Sequence, residues 1–484
     1  MSRKLKTLTT SQPYPRIAVI VLCATGIVVS LMQTIIVPLI PQLPSLVDTT
    51  SNNASWALTI TLLVGAVATP IAGRLGDMVG KRRVMIANMG FVAVGSIICA
   101  LSTALIPFLV GRALQGIGIG TIAVGISILR DIVPANRLGA SVGAMSASLG
   151  VGGALGLPFA AIIAEHVSWH ALFWVSAATA LAGAAGLRLY VPESPERSGG
   201  QFDMFGAVGL TAVLTFVLLP VSKGAEWGWS APITVGLFAA FVVASVVWWR
   251  WERRASNALI DLDVLTSRPI MLTNIASIAT GFAFYASQMA PIQLLMAPTE
   301  TPGGVGMSMV LASLVLMPMG VVMFGFSYVS AWLTDRSGAR ISLALGGLVI
   351  GAGYVVFLLA LQGPWTVNWL SVLVSGALVG AGLGLAYSAM PALIMQVVPT
   401  SQTGEANGVN ALMRAIGTST STAVVGMVLT ASTVTTHMRA GVVVTPTITA
   451  YSITVLVCLA VCVVAFVSSM AIPKAKGLVV DDVL

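Results

Sequence analysis

The sequence predicts an all-α polytopic membrane protein with fourteen transmembrane helices: two six-helix pseudo-repeat halves plus two inserted helices. Three observations predict it. First, 57% of the 484 residues are apolar and only 8% are charged, whereas soluble domains carry roughly 25% charged residues. The mean hydropathy is +0.96. Second, apolar stretches long enough to cross a bilayer core recur fourteen times. Third, three motifs repeat in order at offsets of 258, 264 and 265 residues.

The first span is placed at 17–38. The second and third, 56–75 and 84–105, flank Gly73–Arg83, GRLGDMVGKRR, the most charged run of the chain. Its glycines suit a tight inter-helix turn. Its cations open a helix, where they oppose the macrodipole, so membrane topology rather than local stability accounts for them. Spans four to six are placed at 107–129, 139–164 and 170–190. Spans 204–221 and 231–250 have no counterpart in the repeat and read as the inserted pair; Trp227 and Trp229 read as interfacial anchors. The remaining spans are 269–291, 307–332, 341–361, 367–392, 405–430 and 447–472.

The repeat fixes the domains. Ala331–Arg340 copies the charged run, with Asp335 in the place of Asp77 and Gly338 in that of Gly80. Ala113–Gly120 recurs as Ala377–Gly384, and Val133-Pro134 with Gly139, Gly143 and Gly152 recurs as Val398-Pro399 with Gly404, Gly408 and Gly417. The expected units are residues 1–195, the inserted pair 196–255, and residues 256–484. Parallel halves about an axis along the membrane normal are one of the known transporter architectures.

Lys and Arg set the orientation. Twenty of the 24 lie in the N-terminal tail, the C-terminal tail and alternate loops, whereas the opposite loops hold only Lys223 and Arg439. Both termini are therefore expected in the cytoplasm, with the protein in the cytoplasmic (inner) membrane of the cell. The first apolar run carries no cleavage pattern and is expected to stay as a span.

Several motifs resemble the major facilitator superfamily. Gly73, Leu75, Asp77, Gly80 and Lys81 match its signature between the second and third helices, with Met78 where a cation is usual. Leu109–Gly118, LVGRALQGIG, is similar to the fourth-helix signature with its arginine and glutamine. LMQTIIVPLIP, residues 31–41, resembles the first-helix pattern of the fourteen-helix drug/proton antiporters, and Gly150–Pro158 is a degenerate form of the antiporters' fifth-helix signature, with Ala161 and Ile162 where a second glycine pair is usual. The first-helix pattern carries an aspartate where this chain has Met32.

The resemblance implies an exporter of amphipathic drugs or antibiotics driven by protons, a multidrug or antibiotic resistance function. Gly73, Asp77, Gly80, Lys81, Arg82, Asp335 and Arg340 would then form a cytoplasmic gate. Gln33, Thr34, Asn274, Gln288 and Gln293, on the first and ninth spans, would line the central cavity; interhelical hydrogen bonding is the alternative reading of these polar residues. Met317, Met319 and Met323 would offer an adaptable apolar wall or face lipid.

The residues themselves single out two cations. Arg112 lies about six residues, roughly 9 Å, from the centre of its span. A charge there costs about 2.5–3.5 kcal/mol on insertion scales and usually faces an interior cavity, although an arginine can also snorkel outward. Arg414 is similar, and its repeat partner is Leu149. No carboxylate stands firmly inside a span. Glu165 and Asp131, at the two ends of the fifth span, are the nearest candidates for proton coupling, acting with Arg112 and Arg414.

Other chemistry is not visible. Gly80-Lys81 fails as a phosphate loop, because Leu75 and Arg82 occupy key positions. His166, His170 and His437 form no triad or metal pattern, and Cys23, Cys99, Cys458 and Cys462 all lie in apolar spans. No enzyme activity, cofactor or metal is expected. The cations are spread through short loops, which speaks against nucleic acid. The expected partners are a small amphipathic molecule, protons and the bilayer. Met32 keeps open a facilitator or importer of a small metabolite, and a non-transporting membrane sensor or enzyme is the third class.

Overall fold

The computed structural model describes residues 15–36, 39, 43–54, 56–194, 197, 199, 201–363, 367–438 and 441–473. Among them, fourteen helices are long and apolar enough to cross a membrane. In lipid every backbone N–H and C=O must be satisfied within the protein, which leaves helices as the way for these apolar stretches to cross. The helices are α1 Arg16–Thr34, α2 Trp56–Val79, α3 Lys81–Leu101, α4 Leu105–Ile132, α5 Ala135–His166, α6 Trp169–Tyr190 and α7 Met204–Trp227. They continue as α8 Pro232–Glu252, α9 Arg268–Met296, α10 Met309–Ser337, α11 Ala339–Gln362, α12 Trp369–Met395, α13 Thr403–Ala431 and α14 Ile448–Ala471.

The helices outrun the apolar stretches, and this corrects the reading of the charged run. Gly73 and Asp77 are not in a loop; they belong to the last turns of α2, and Lys81 already opens α3. Gly80 alone makes the turn, at φ +120°, a backbone that a side chain rarely tolerates. Gly338 makes the same one-residue turn between α10 and α11 at φ +89°. Asp335 and Arg336 likewise fall on helix. α4 is broken in its middle by a 3-10 turn over Gly118–Gly120. One element was not foreseen: a hairpin pairs Thr433–Met438 antiparallel with Gly441–Pro446. Its strands are rich in Val and Thr, which favour extended backbone.

Buried apolar side chains gather in separate clusters. One is built from Ala18 through Val191 and another from Ala276 through Ile472. A smaller one joins α7 and the segment Leu259–Leu262 to Ala66 of α2 and to Val409 and Leu412 of α13. The inserted helices thus lie beside the junction of α2 with α13. α8 packs on α7 and leaves Val242, Val243 and Val247 exposed, as a lipid-facing helix would.

The N-terminal helices meet the C-terminal ones most extensively in two pairs, α5 with α10 and α2 with α13; α5 also touches α12, and α4 touches α13. The two main approaches are the close ones. Both approaches run over glycine. Small residues let backbones come close where water gives no hydrophobic drive. A Cβ on Gly320 would collide with the Gly150 carbonyl and the Ala154 side chain, and one on Gly73 would strike the Gly404 carbonyl. Around Gly325 of the same α10 there is open space. Gly320→Ala is therefore expected to destabilise by about 1–3 kcal/mol, the usual cost of overpacking. Gly325→Ala should leave the thermal midpoint of the detergent-purified protein unchanged or slightly raised, since Ala is the better helix former. Equal midpoints for the two variants would rule out the close α5–α10 contact.

Candidate functional site

Charged residues concentrate at one end of the bundle, where α2 meets α13. The Asp77 carboxylate is 1% exposed. It accepts hydrogen bonds from the backbone N–H of Gly404 at 3.2 Å and of Glu405 at 2.9 Å. Those are free donors in the first turn of α13, so a carboxylate there also meets the positive end of the helix dipole. Lys81 Nζ reaches Asp131 at 2.8 Å and Asp77 at 3.7 Å. Ser194 donates to Asp131 as well. Glu193 closes the turn from below: it accepts from Arg82 N at 3.0 Å and lies 3.7 Å from Arg82 Nε and 3.8 Å from Arg83 Nε.

A second layer ties α13 down. Arg74 Nη1 lies 3.4 Å from Glu405 Oε2, and the Asp261 N–H donates to Glu405 Oε1 at 2.6 Å. Arg130 donates to Thr403 Oγ1 at 2.5 Å and to the Met395 carbonyl at 3.0 Å. Asp77 and the charged residues beside it thus contact helices from both ends of the chain. Asp335 does not take part: it is exposed and makes no ion pair among the described residues. Arg340 caps the carbonyl of Ile472 at 2.9 Å instead. Asp131, expected near a coupling site, belongs to the Lys81 cluster. Glu405, Glu193 and Arg130 were not singled out from sequence. Glu405 directly follows Gly404 of the repeated motif, and that adjacency was the available signal.

Arg112 is fully buried in α4. Its Nη1 donates to Gln115 Oε1 at 2.6 Å and to the Met32 carbonyl at 3.3 Å, and its Nε donates to the Ala57 carbonyl at 3.3 Å. Gln115 passes the chain on to Ser96 at 2.7 Å. Spacing explains the pair: residues three apart share a helix face. Nη2 has no partner. No acid is among these contacts. Glu165 lies on the last turn of α5, and its side chain falls outside the described residues. Met32, where the resembling pattern has an acid, is buried and contributes its carbonyl.

The expected cavity residues divide. Gln288 lines a crevice between α5, α9 and α10, with Phe284, Met319 and Leu157. Asn274 instead accepts a hydrogen bond from Asn410 at 3.0 Å, linking α9 to α13. Thr34 bonds back to the Leu31 carbonyl at 3.1 Å. Gln33 is half-buried, with Nε2 unpartnered, and Gln293 is half-buried. Met319 and Met323 are buried, Met323 against Gly150. Arg414 sits 4.8 Å over the ring of Tyr387. Among the described residues no cluster of three metal ligands occurs.

The family model described as Major Facilitator Superfamily matches residues 22–422. A multidrug resistance protein of Bacillus subtilis is 24% identical over 382 residues, covering 78% of this chain and 73% of that one. The tetracenomycin C resistance and export protein of Streptomyces glaucescens is 28% identical, covering 86% and 76%. An uncharacterized MFS-type transporter of Mycobacterium tuberculosis is 28% identical, and this chain spans only 57% of its length. Among solved structures, the human organic anion transporter TETRAN superposes with a TM-score of 0.64 at 14% identity, covering 96% of this chain and 100% of that one. The proton:xylose symporter XylE does so at 0.66 and 14%, covering 96% and 97%. At that identity the likeness is one of fold.

Asp77→Asn keeps the shape of the contact but turns one acceptor into a donor that faces an N–H. The loss is expected to be about 1–3 kcal/mol. It should show as faster thiol labelling of a cysteine at Ala406, buried on the first turns of α13, in a cysteine-free background. An unchanged labelling rate would mean that Asp77 does not hold these helices together.

Proposed function

Since the chain belongs to the major facilitator superfamily, we propose that it is a secondary active transporter that exports amphipathic drugs or antibiotics by proton antiport, with alternating access. The observation that carries this reading is the contact of Asp77 with the first turn of α13. It joins the N-terminal helices to the C-terminal ones at the basic end, through a few charged hydrogen bonds. Each such bond is worth about 1.5–3 kcal/mol, which substrate or proton binding can offset. A packed apolar interface would not be reversible in that way. We assign residues 1–195 and 256–484 as the two moving units and the basic end as cytoplasmic, closed by Gly73, Asp77, Gly80, Lys81 and Arg82. The names of the two relatives, one a multidrug resistance protein and one an export protein, support the direction and the compound class.

Proton linkage has no acid on α1. Arg112 is our candidate for the coupling group, with Glu165 its partner. The facilitator reading remains the second one, because Met32 is buried where a titrating group is expected. Export of a fluorescent drug from cells overexpressing the protein should collapse with a protonophore, and Arg112→Ala should abolish it. Arg112→Lys should retain part, since it keeps the charge without the planar fork. Export indifferent to the protonophore would favour the facilitator.

Orientation is tested separately. Asp48 and Glu226 are exposed at one end of the molecule, and Arg83 and Asp335 at the other. Single cysteines at the first pair should react with an impermeant thiol reagent in intact cells, and those at the second pair only after lysis. Labelling of the Asp335 site from outside would overturn the assignment.

A further inference from the structure

The transport reading leaves the charge of the substrate open. Resting on that reading, we propose that the substrate site takes an organic anion: an aromatic or apolar body carrying one negative group, held by Arg414 and Tyr387.

Arg414 is the twelfth of the 29 residues of α13, roughly 17 Å along the helix at 1.5 Å per residue. It is therefore at mid-span, where an isolated charge is unfavourable and marks a pathway or ligand. Its guanidinium is half-buried and makes no ion pair or hydrogen bond among the described residues. Its one described partner is the face of Tyr387, with the guanidinium carbon 4.8 Å from the ring centroid. A ring face offsets part of the desolvation but leaves the N–H donors unused. Tyr387 is 1% exposed, and its hydroxyl has no partner among the described residues. A buried polar group without a partner is destabilising until something binds it.

An apolar crevice lies one aromatic ring away from this pair, which does not itself line it. The ring of Phe284 is 6.1 Å from that of Tyr387. Phe284 in turn lines the crevice with Gln288, Met319 and Leu157, so the crevice is walled by α5 on one side and by α9 and α10 on the other. The crevice is narrow in this structure, so a ligand body would enter as the helices part; the aromatic faces and polarizable methionine along it suit a flat, varied one.

Charge selects the sign. The described acids on spanning helices (Asp77, Asp131, Glu226, Glu252, Asp335 and Glu405) all lie in the first or last turns. The two mid-span charges are both arginines. Arg112 uses its Nε and Nη1 donors on two carbonyls and Gln115 and leaves only Nη2 over; Arg414 spends none of its donors among the described residues. A cationic ligand would meet repulsion here. A neutral one would leave the guanidinium and the phenol unpaired, which is the stronger form of discrimination. A carboxylate, sulfonate or phenolate satisfies both. The repeat places Leu149 opposite Arg414, so the head group is held from the C-terminal helices alone.

The test uses the full chain purified in detergent, with fluorescein as the aromatic anion and ethidium as the aromatic cation, both followed by fluorescence anisotropy. The unaltered protein should bind fluorescein more tightly than ethidium. Arg414→Gln should weaken fluorescein at least about tenfold, as expected for loss of a charged hydrogen-bond donor, and should leave ethidium binding no weaker, or strengthen it, because the repelling charge is gone. Arg414→Lys should restore part of the affinity, and Tyr387→Phe should weaken fluorescein about fivefold for the loss of one neutral bond. Should Arg414→Gln melt early, Tyr387→Phe and Arg414→Lys carry the same comparison. A protein that does not bind fluorescein, that prefers ethidium, or whose fluorescein affinity survives both Arg414→Gln and Tyr387→Phe overturns the proposal. Binding in detergent needs no gradient. Protonophore-insensitive export would therefore sink the antiport reading and leave this one standing.

Discussion

A bilayer admits a backbone only if its own N–H and C=O groups are paired within the protein. The rest of this structure depends on that constraint. It makes every crossing a helix, and it removes hydrophobic attraction between helices, because lipid is as apolar as their side chains. Cohesion must then come from close approach and from polar contacts. The first is visible where Gly150 and Gly320 let α5 and α10 touch backbone to backbone, and where Gly73 meets Gly404. The second is visible at the helix ends, where Asp77, Lys81, Asp131, Glu193 and Glu405 form a paired network.

The two kinds of contact differ in what they permit. A glycine-lined helix pair is held by shape along its length and can rock as a unit. The Asp77 contact is local and charged, and it fails as soon as α13 shifts by more than hydrogen-bond reach. On the proposed transport reading, rigid pairs along the bundle and breakable bonds at one end would act as a hinge with a catch. The segment after α8 is tied into that catch, since Asp261 donates to Glu405 and Glu252 accepts from the Ile260 N–H at 2.5 Å. The inserted helices therefore bear on the same few residues as α2 and α13.

Much of this is legible in the sequence. Fourteen apolar stretches, the repeat and the charged run give the helices and bring Asp77, Gly80 and Lys81 forward, because composition and spacing carry those signals directly. The helix ends are less legible: polar residues at the ends of α2 and α10 look like loop, although helical hydrogen bonding continues through them at the water boundary. The far partner of Asp77 is not legible at all. Gly404 and Glu405 stand more than three hundred residues away, and only packing brings α13 onto α2. Asn274 reads as a cavity residue from its position on α9, yet Asn410 opposite it decides that it links helices. The hairpin after α13 hid inside an apolar, Thr-rich stretch whose period is too short to separate from a span end.

The repeated scaffold carries unequal chemistry. At the repeat spacing Lys81 faces Ala339, Glu405 faces Ala140 and Arg414 faces Leu149. Asp335 copies Asp77 in sequence but stands exposed. Similar one-residue, positive-φ turns at Gly80 and Gly338 show that the fold itself does not ask for this difference. What differs is where charge is placed: the buried Asp77 contact lies between α2 and α13, and the half-buried mid-span cation belongs to the C-terminal helices. A device with two equal catches would have to break both at once. On the proposed reading, with one catch and one cation, a bound anion near α13 would act on the same helix that the catch holds. A substrate and a gate coupled through a single rigid helix need no longer pathway between them.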